Sequence, residues 1–255
     1  MDASTASGGS PFMPMFEKFR LELDEHHDRR ERVIKASRDV TAASKKMIRT
    51  VGKPIPPGVR KGFTQHEEVI RSQYTNISKD MQGLNSFRYQ RQISGGNQEL
   101  LEALTFQHYL ETEQLLSYLE ANDRVAGLGG PESPILLTPD DYLLGVFDMV
   151  GELMRHAVTA MATGELSGAA SSTGNENIAS RGILADMRDL RSSLERLEVD
   201  DGFLSRDIEK KMPVMKQCVE KVENAAYGLI VRGSERPKGW MPDTDHVGKG
   251  EVEGY

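Results

Sequence analysis

The chain has 255 residues, of which 38% are hydrophobic and 28% charged, and its formal net charge is −7. This length suits one large domain or two small ones, and the negative charge argues against a protein that coats nucleic acid with its whole surface. No apolar stretch reaches the roughly 18–20 residues of a membrane span, and the single cysteine, Cys218, excludes an intramolecular disulfide and indicates a reducing compartment.

The N-terminal part of the sequence predicts a disordered segment followed by a long helix. Residues 1–13 are small and polar, which is typical of disorder. From about residue 16 to 51, apolar residues recur in alternating steps of three and four, which indicates an amphipathic helix. The segment GKPIPPG at 52–58 ends it. The predicted seam of this helix contains Phe19, Leu23, Val33, Val40 and Met47, with Ser37 and Ser44 between them.

A strongly basic segment overlaps this helix. Residues 29–62 contain eleven Lys or Arg residues and two acidic ones, a local charge of +9. A basic stripe on an acidic protein is typical of a groove that binds phosphates, although a solvated helix face would have the same composition. The candidates for RNA contact come from this stripe, with one later arginine: Arg29, Arg30, Arg32, Lys35, Arg38, Lys45, Lys46 and Arg155.

The middle of the chain is predicted to form two more helices and a loop. Hydrophobic spacing indicates helices over about 64–81 and 84–120, with Gly95-Gly96 as the point where the second can bend. The stretch 122–137 is rich in Gly and Pro, and it predicts a flexible loop.

A helix start follows this loop. Thr138 has the position of an N-cap, Pro139 that of the first helical residue, and Asp140 and Asp141 lie in the first turn. This helix is predicted to run to about residue 163, where the Gly- and Ser-rich stretch 164–177 predicts a flexible linker.

Two helices and a tail complete the prediction, at about 177–199, 205–231 and 233–255. Pro213 is expected to kink the last helix or delay its start. Cys218 lies among apolar neighbours and is expected to be buried. The seam of the last helix is predicted to contain Met212, Met215, Val219, Val222, Ala226 and Leu229.

These elements predict an all-α fold, because alternating strand-like patterns are nearly absent. The expected architecture is a single-domain bundle of about six or seven helices over 14–232, with the N-terminus and the tail flexible. Some helices are long enough to leave apolar seams for partner subunits.

Two carboxylate pairs stand at helical spacing. Glu99 and Glu102 share a helix face with Phe106 and Tyr109, within about 80° on a helical wheel. Acids beside bulky apolar groups cost free energy unless they are paired or bound to metal. If the helix of this pair packs against that of the second pair, four acids converge and favour a hard cation such as Mg²⁺.

The second pair, Asp148 and Glu152, is ordinary by itself. With Arg155 it could form an ion-pair cluster on a plain surface helix, worth about 0.3–0.5 kcal/mol per pair. Other catalytic patterns are absent from the sequence, including a Gly-rich phosphate loop, a nucleophile elbow and zinc-ligand spacing.

Four segments of the chain resemble the translin family, and its Trax branch in particular. They are ELDEHHDRRERVIKASRDVTAASK (22–45), QELLEALTFQHYLET (98–112), TPDDYLLGVFDMVGELMR (138–155) and KVENAAYGLIVRGSERPK (221–238). The resemblance implies a translin-like all-α fold and assembly with translin into a closed, octameric hetero-oligomeric shell, in the cytoplasm and the nucleus. It favours the Trax branch because Glu99 and Glu102 match E-x-x-E carboxylates that translin itself lacks.

The resemblance also implies a Mg²⁺-dependent endoribonuclease site that faces the interior of the shell. Glu99, Glu102 and Asp148 match catalytic metal ligands, and Glu152 matches a fourth ligand or a supporting acid. The implied reaction is in-line hydrolysis of single-stranded RNA, with fragments of small-RNA passenger strands or of tRNA processing as substrates. Single-stranded DNA is a further ligand that the resemblance suggests.

Two hypotheses in which the protein has no catalytic activity remain open at this point. In the first, the chain is a scaffold that binds translin and holds single-stranded RNA or DNA; four acids in the groove argue against it, because they repel phosphates. In the second, it is a coiled-coil adaptor, which would require longer uninterrupted heptads than this sequence has.

Overall fold

The computed structural model describes residues 10, 12–51, 60–130, 133–163, 178–199 and 202–232. Within these ranges the chain forms α-helices and one 3-10 turn and no strand, which confirms the all-α prediction. None of these helices combines the length and the hydropathy that a bilayer span requires. The helices are α1 (Met13–Val51), α2 (Arg60–Ile77), the 3-10 turn (Ser78–Met81), α3 (Leu84–Arg88), α4 (Gln90–Thr112), α5 (Tyr118–Gly129), α6 (Pro139–Thr163), α7 (Ile178–Glu195) and α8 (Phe203–Arg232).

Four long helices lie side by side in the order α1, α4, α6 and α8. His26 contacts Tyr89 at the start of α4, and Lys45 contacts Glu99 further along it. Residue numbers therefore increase in the same direction on α1 and α4, so these helices run parallel. Helix α2 packs on α1, α5 packs on α2, and α7 packs on α8. The described α-helices number eight, above the predicted six or seven. The chain forms the short helix α3 before α4, and α5 spans the end of the predicted helix over 84–120 and the first part of the predicted loop over 122–137.

The seam of α1 is buried only in its C-terminal part. Val33, Val40 and Met47 of the predicted seam are fully buried, whereas Phe19 and Leu23 are exposed, so the N-terminal part of the seam is left uncovered in this chain. The reason is geometric, since α4 begins next to the level of His26 and α1 extends well beyond it.

The predicted helix over 84–120 and the predicted loop over 122–137 are both corrected by the structure. Helix α4 ends at Thr112, and Glu113 takes a left-handed conformation with φ of 57°. A capping box between Ser117 and Glu120 then starts α5. Residues 113–117 therefore form a short connection between α4 and α5, and the described residues after Gly129, which are 130 and 133–138, are not helical.

The two proposed interruptions, at Gly95-Gly96 and at Pro213, both lie inside helices. Helix α4 passes through Gly95-Gly96, and a Cβ on Gly96 would lie 3.0 Å from the Ser37 carbonyl oxygen, so this glycine permits α1 to approach. Pro213 lies within α8, which starts at Phe203, so the proline does not delay the helix.

The start of α6 is confirmed and is tied to α4 by a buried carboxylate. The backbone N–H of Asp141 donates to Thr138 Oγ1 at 3.1 Å, as an N-cap requires. The Asp141 side chain is 2% exposed. Its carboxylate accepts hydrogen bonds from four side chains of α4, namely Gln90, Ser94, Asn97 and Gln98.

The last helix agrees with most of its predicted seam. Met215, Val219 and Val222 are buried, and so is Cys218 as predicted, whereas Leu229 at the end of the seam is 42% exposed. The predicted linker over 164–177, the tail over 233–255 and nearly all of the predicted N-terminal segment lie outside the described residues.

Candidate functional site

The four predicted carboxylates line one open cavity. Glu99 and Glu102 come from α4, and Asp148 and Glu152 come from α6. The cavity has a volume of about 880 Å³, and α1 and α8 supply its remaining walls. The convergence that spacing alone left open is therefore present in the fold.

A glycine on α6 brings the two pairs together. A Cβ on Gly145 would lie 2.6 Å from Leu101 Cβ and 3.0 Å from the Gln98 carbonyl oxygen, closer than packed atoms allow. Gly145 therefore lets the backbones of α4 and α6 approach closely. Asp148 follows it by three residues, so it lies about one helical turn further along α6 and faces Glu102.

Three of the four carboxylates contact basic side chains. Lys45 Nζ of α1 lies 3.1 Å from Glu99 Oε1. Lys211 of α8 contacts Asp148 across the helix interface, and Arg155 contacts Glu152 within α6. The site thus carries its own counter-ions on three sides.

Glu102 is the carboxylate under the greatest electrostatic stress. Burial, followed by the negative charges of Asp148, Glu99 and Glu152, raises the pKa of Glu102 from 4.5 to about 8. The charge of Arg155 opposes this increase only in part. At neutral pH the Glu102 carboxyl is therefore mostly protonated, and a nearby cation would favour its ionised form.

The donor set of the cavity suits a hard cation, because four carboxylates from two rigid helices supply oxygen ligands. As the side chains stand, no group of three Asp, Glu, His or Cys residues in the described ranges is gathered closely enough to hold a metal ion. Binding would require the carboxylates to rotate away from Lys45, Lys211 and Arg155. The residues fit Mg²⁺ in chemical type, and the fit depends on this exchange of partners.

The structure divides the basic stripe into two groups. Lys45 and Arg49 of the stripe line the cavity, as does the later candidate Arg155 of α6. Arg29 and Arg32 instead hold Asp80 beside the start of α3, with N–O distances of 3.2 and 2.8 Å. Residue 29 precedes residue 45 by about 24 Å along the helix axis, so this pairing lies far from the carboxylates. The other candidates, Arg30, Lys35, Arg38 and Lys46, are exposed along α1.

Sequence reasoning did not single out the basic residues that α8 brings to the cavity. Lys210 and Lys211 both line it, as does Arg49 of α1. Lys211 precedes Met215 by four residues and Cys218 by seven, and both of these are buried. This spacing places Lys211 on the buried face of α8, which is the signal that would have identified it.

Two neighbours complete the cavity. The ring of His156 lies 6.1 Å from that of Phe106 in an edge-on arrangement, so α4 and α6 also touch beyond the carboxylates. Cys218 lines the cavity from α8, and burial raises the pKa of its thiol. The thiol is therefore mostly neutral at physiological pH, which is typical of a structural cysteine.

Comparison with known proteins shows a match to the Translin family model over residues 28–233. Translin-associated protein X of mouse is 32% identical over 96% of this chain and 88% of its own length. Chicken translin is 26% identical over 86% of this chain and 92% of its own length. The structure is similar to that of the AfC3PO–duplex RNA complex, with a TM-score of 0.62 and 19% identity, covering 87% of this chain and all (100%) of the other. The structural likeness concerns the fold alone.

Proposed function

The chain belongs to the translin family, and from that premise we propose that it is the Trax-type subunit of a hetero-oligomeric shell with translin and cleaves single-stranded RNA with Mg²⁺. The relatives named translin-associated protein X match over a larger share of this chain than most of those named translin. This pattern supports the proposal that the chain is a partner of translin and is not itself a translin.

One observation carries the proposal: four carboxylates line one cavity, and one of them, Glu102, has a pKa raised to about 8 by burial and by the other three. A site that only held phosphates would gain nothing from this excess of negative charge, because the acids would repel the ligand. A site for a divalent cation requires it, because the cation offsets the repulsion.

In the proposed reaction Glu99, Glu102 and Asp148 would hold the metal ion, and Glu152 would be a fourth ligand or would orient one of the others. Bound Mg²⁺ would supply an activated water for in-line attack and neutralise charge that develops on the phosphate. Basic side chains that line the cavity would then position the RNA strand. Lys45 and Arg155 are 56% and 69% exposed, so each can reach a phosphate of the RNA backbone.

Single-stranded RNA fits this cavity better than a rigid duplex. Recognition in such a cavity depends on phosphates held by flexible basic side chains and on a backbone that can bend into it. One neighbouring structure is that of a complex with duplex RNA, so cleavage assays should compare single-stranded and duplex RNA of one sequence. We expect the single strand to be cleaved faster, and single-stranded DNA to compete for binding.

The second candidate is a scaffold that binds translin and single-stranded RNA or DNA without cleaving it. It is favoured by the present arrangement, in which three carboxylates contact basic side chains and no three acids of the described ranges are gathered as metal ligands. The two candidates differ in one measurement, which is RNA cleavage in the presence of Mg²⁺. Only the nuclease should cleave RNA under that condition.

The test is cleavage of a labelled RNA by the full chain assembled with translin, with Mg²⁺ or with chelator. Glu102→Gln and Asp148→Asn should each lower the cleavage rate by more than the roughly 10–100-fold effect of changing a ligand's supporting group. Assembly should remain, as should RNA binding measured in chelator, because both substitutions keep the size and shape of the side chain. Glu111→Gln is the matched control, since Glu111 is exposed on the same helix. No cleavage in Mg²⁺, with RNA still bound, would favour the scaffold. Unchanged cleavage by both site variants, or equal cleavage in chelator, would refute the proposed Mg²⁺ site.

Cytoplasmic and nuclear localisation is part of the same proposal. A fluorescent fusion of the full chain, expressed with and without translin, tests it directly. We expect signal in both compartments and a distribution that changes with the level of translin.

A further inference from the structure

We propose that Lys211 is an exchangeable counter-ion, which neutralises Asp148 until the metal binds and then turns to a phosphate of the RNA. This inference rests on the proposed function, because it assumes that Asp148 is a metal ligand. It adds a positioning residue from α8, which neither the sequence motifs nor the carboxylate pairs indicate.

The contact between Lys211 and Asp148 joins two different helices. The Lys211 side chain is 27% exposed and that of Asp148 is 37% exposed, so the pair is partly shielded from water. A carboxylate oxygen in contact with an ammonium group cannot also bind a divalent cation without bringing two positive charges together. The contact is to Asp148 Oδ1, and a divalent cation on either oxygen of this carboxylate would lie close to the ammonium group. Metal binding at Asp148 is therefore favoured when Lys211 moves away.

Lys211 differs in this respect from the other two counter-ions. Arg155 contacts Glu152 from three residues away on the same helix, and its side chain is 69% exposed. Lys45 is 56% exposed. Both already extend largely into solvent, so their release changes little. Lys211 is the most enclosed of the three, and its release leaves a positive charge inside the cavity that needs a new partner.

The cavity offers that partner when RNA is present. Its volume of about 880 Å³ leaves room for the lysine side chain to swing, and Lys45, Arg49 and Lys210 line other parts of its wall. A lysine has a flexible four-carbon stem and binds phosphate as a point charge. The proposed new position of Lys211 is therefore beside the phosphate that the metal site receives.

This exchange couples the two ligands. RNA stabilises the released position of Lys211, which frees Asp148, so RNA should raise the affinity for Mg²⁺. By thermodynamic linkage, Mg²⁺ should raise the affinity for RNA by the same factor. Coupling of this kind usually amounts to about 5–150-fold. A metal site without the exchange would show only the weaker attraction between the cation and the phosphates.

The experiment measures Mg²⁺ binding by calorimetry on the full chain assembled with translin, alone and with a single-stranded 2′-O-methyl oligoribonucleotide that is checked for integrity afterwards. In Lys211→Met, Mg²⁺ alone should bind at least about fivefold more tightly, because the competing cation is gone, and the effect of the oligonucleotide should fall at least about fivefold. Lys211→Gln provides a second neutral variant should the first fail to assemble. Lys221→Met is the charge-matched control, since Lys221 is exposed on the same helix and is not among the residues that line the cavity.

Each outcome discriminates between the two proposals. Coupling that is lost in both Lys211 variants and kept in Lys221→Met supports the exchange. Coupling that is unchanged in the Lys211 variants, with Mg²⁺ still binding, overturns the exchange and leaves the metal site standing. If the parent complex binds Mg²⁺ no better than Glu102→Gln, the metal site and the exchange both fail.

Discussion

Replacing Glu102 by glutamine should stabilise the protein while removing its proposed activity. The pKa of Glu102 is about 8 in the folded chain, against 4.5 ordinarily. Between these two values the folded state holds a proton on this carboxyl that the unfolded state has lost. With respect to this carboxyl, the free energy of unfolding is therefore highest below about pH 4.5, and it decreases as the pH rises toward 8. Glutamine is neutral throughout and lacks this dependence.

The size of the effect follows from the shift. Each pH unit between the two pKa values costs about 1.4 kcal/mol, so at pH 7 the carboxyl lowers the free energy of unfolding by about 3 kcal/mol relative to pH 4.5. For a chain of this size, 1 kcal/mol changes Tm by about 2–4 °C. Glu102→Gln should therefore raise the apparent Tm by about 6–12 °C at pH 7, and by only a few degrees at pH 5.

The assay is thermal unfolding of the complex in chelator between pH 5 and 8, at fixed protein concentration because Tm in an oligomer depends on it. Glu111→Gln again serves as the control and should follow the parent at every pH. Added Mg²⁺ should raise the Tm of the parent and leave that of Glu102→Gln nearly unchanged. A Tm difference that stays the same from pH 5 to 8, or a variant less stable than the parent at pH 7, would refute the reasoning.

Two further predictions concern the packing that builds the site. Gly145→Ala should lower stability by about 1–3 kcal/mol and reduce activity, because its Cβ would lie 2.6 Å from Leu101 Cβ; Gly151→Ala on the same helix, where no atom lies within 4 Å, should be neutral or stabilising in thermal unfolding. Asp141→Ala should cost about 3 kcal/mol or more in urea unfolding, because the buried Asn97 and three partly buried donors lose their acceptor at about 1–3 kcal/mol for each buried group. Asp140→Ala, at an exposed position, should change stability by less than about 1 kcal/mol.

The parts of the fold that were predictable are those fixed by local chemistry. Thr138 was expected to cap α6, and its hydroxyl accepts the hydrogen bond that a cap accepts. Helical spacing placed Glu99 with Glu102, and Asp148 with Glu152, on single helix faces. The signal for α5 was also local, since Ser117 and Glu120 form a capping box, but the Gly-rich sequence after it led to the prediction of a loop.

The parts that could not be predicted depend on which helices pack together. The contact of Lys211 with Asp148 joins residues 63 positions apart, and that of Arg32 with Asp80 joins residues 48 positions apart. Periodicity assigns a residue to a face but does not identify the helix opposite it. The wheel therefore indicated that Glu102 was unusual, and only the assembled cavity gave the reason, which is burial beside three other carboxylates.

The hydrogen bonds of Asp141 to side chains of α4 fix the register of α6 against α4. Asp141 lies seven residues before Asp148, which is two helical turns or about 10 Å along the axis. A slip of α6 by one residue would turn Asp148 by about 100° away from Glu102 and would also pull Asp141 from its donors on α4. Transferring the four carboxylates to another helical bundle would therefore require transferring the Asp141 hydrogen bonds as well, as one continuous segment from residue 90 to 155.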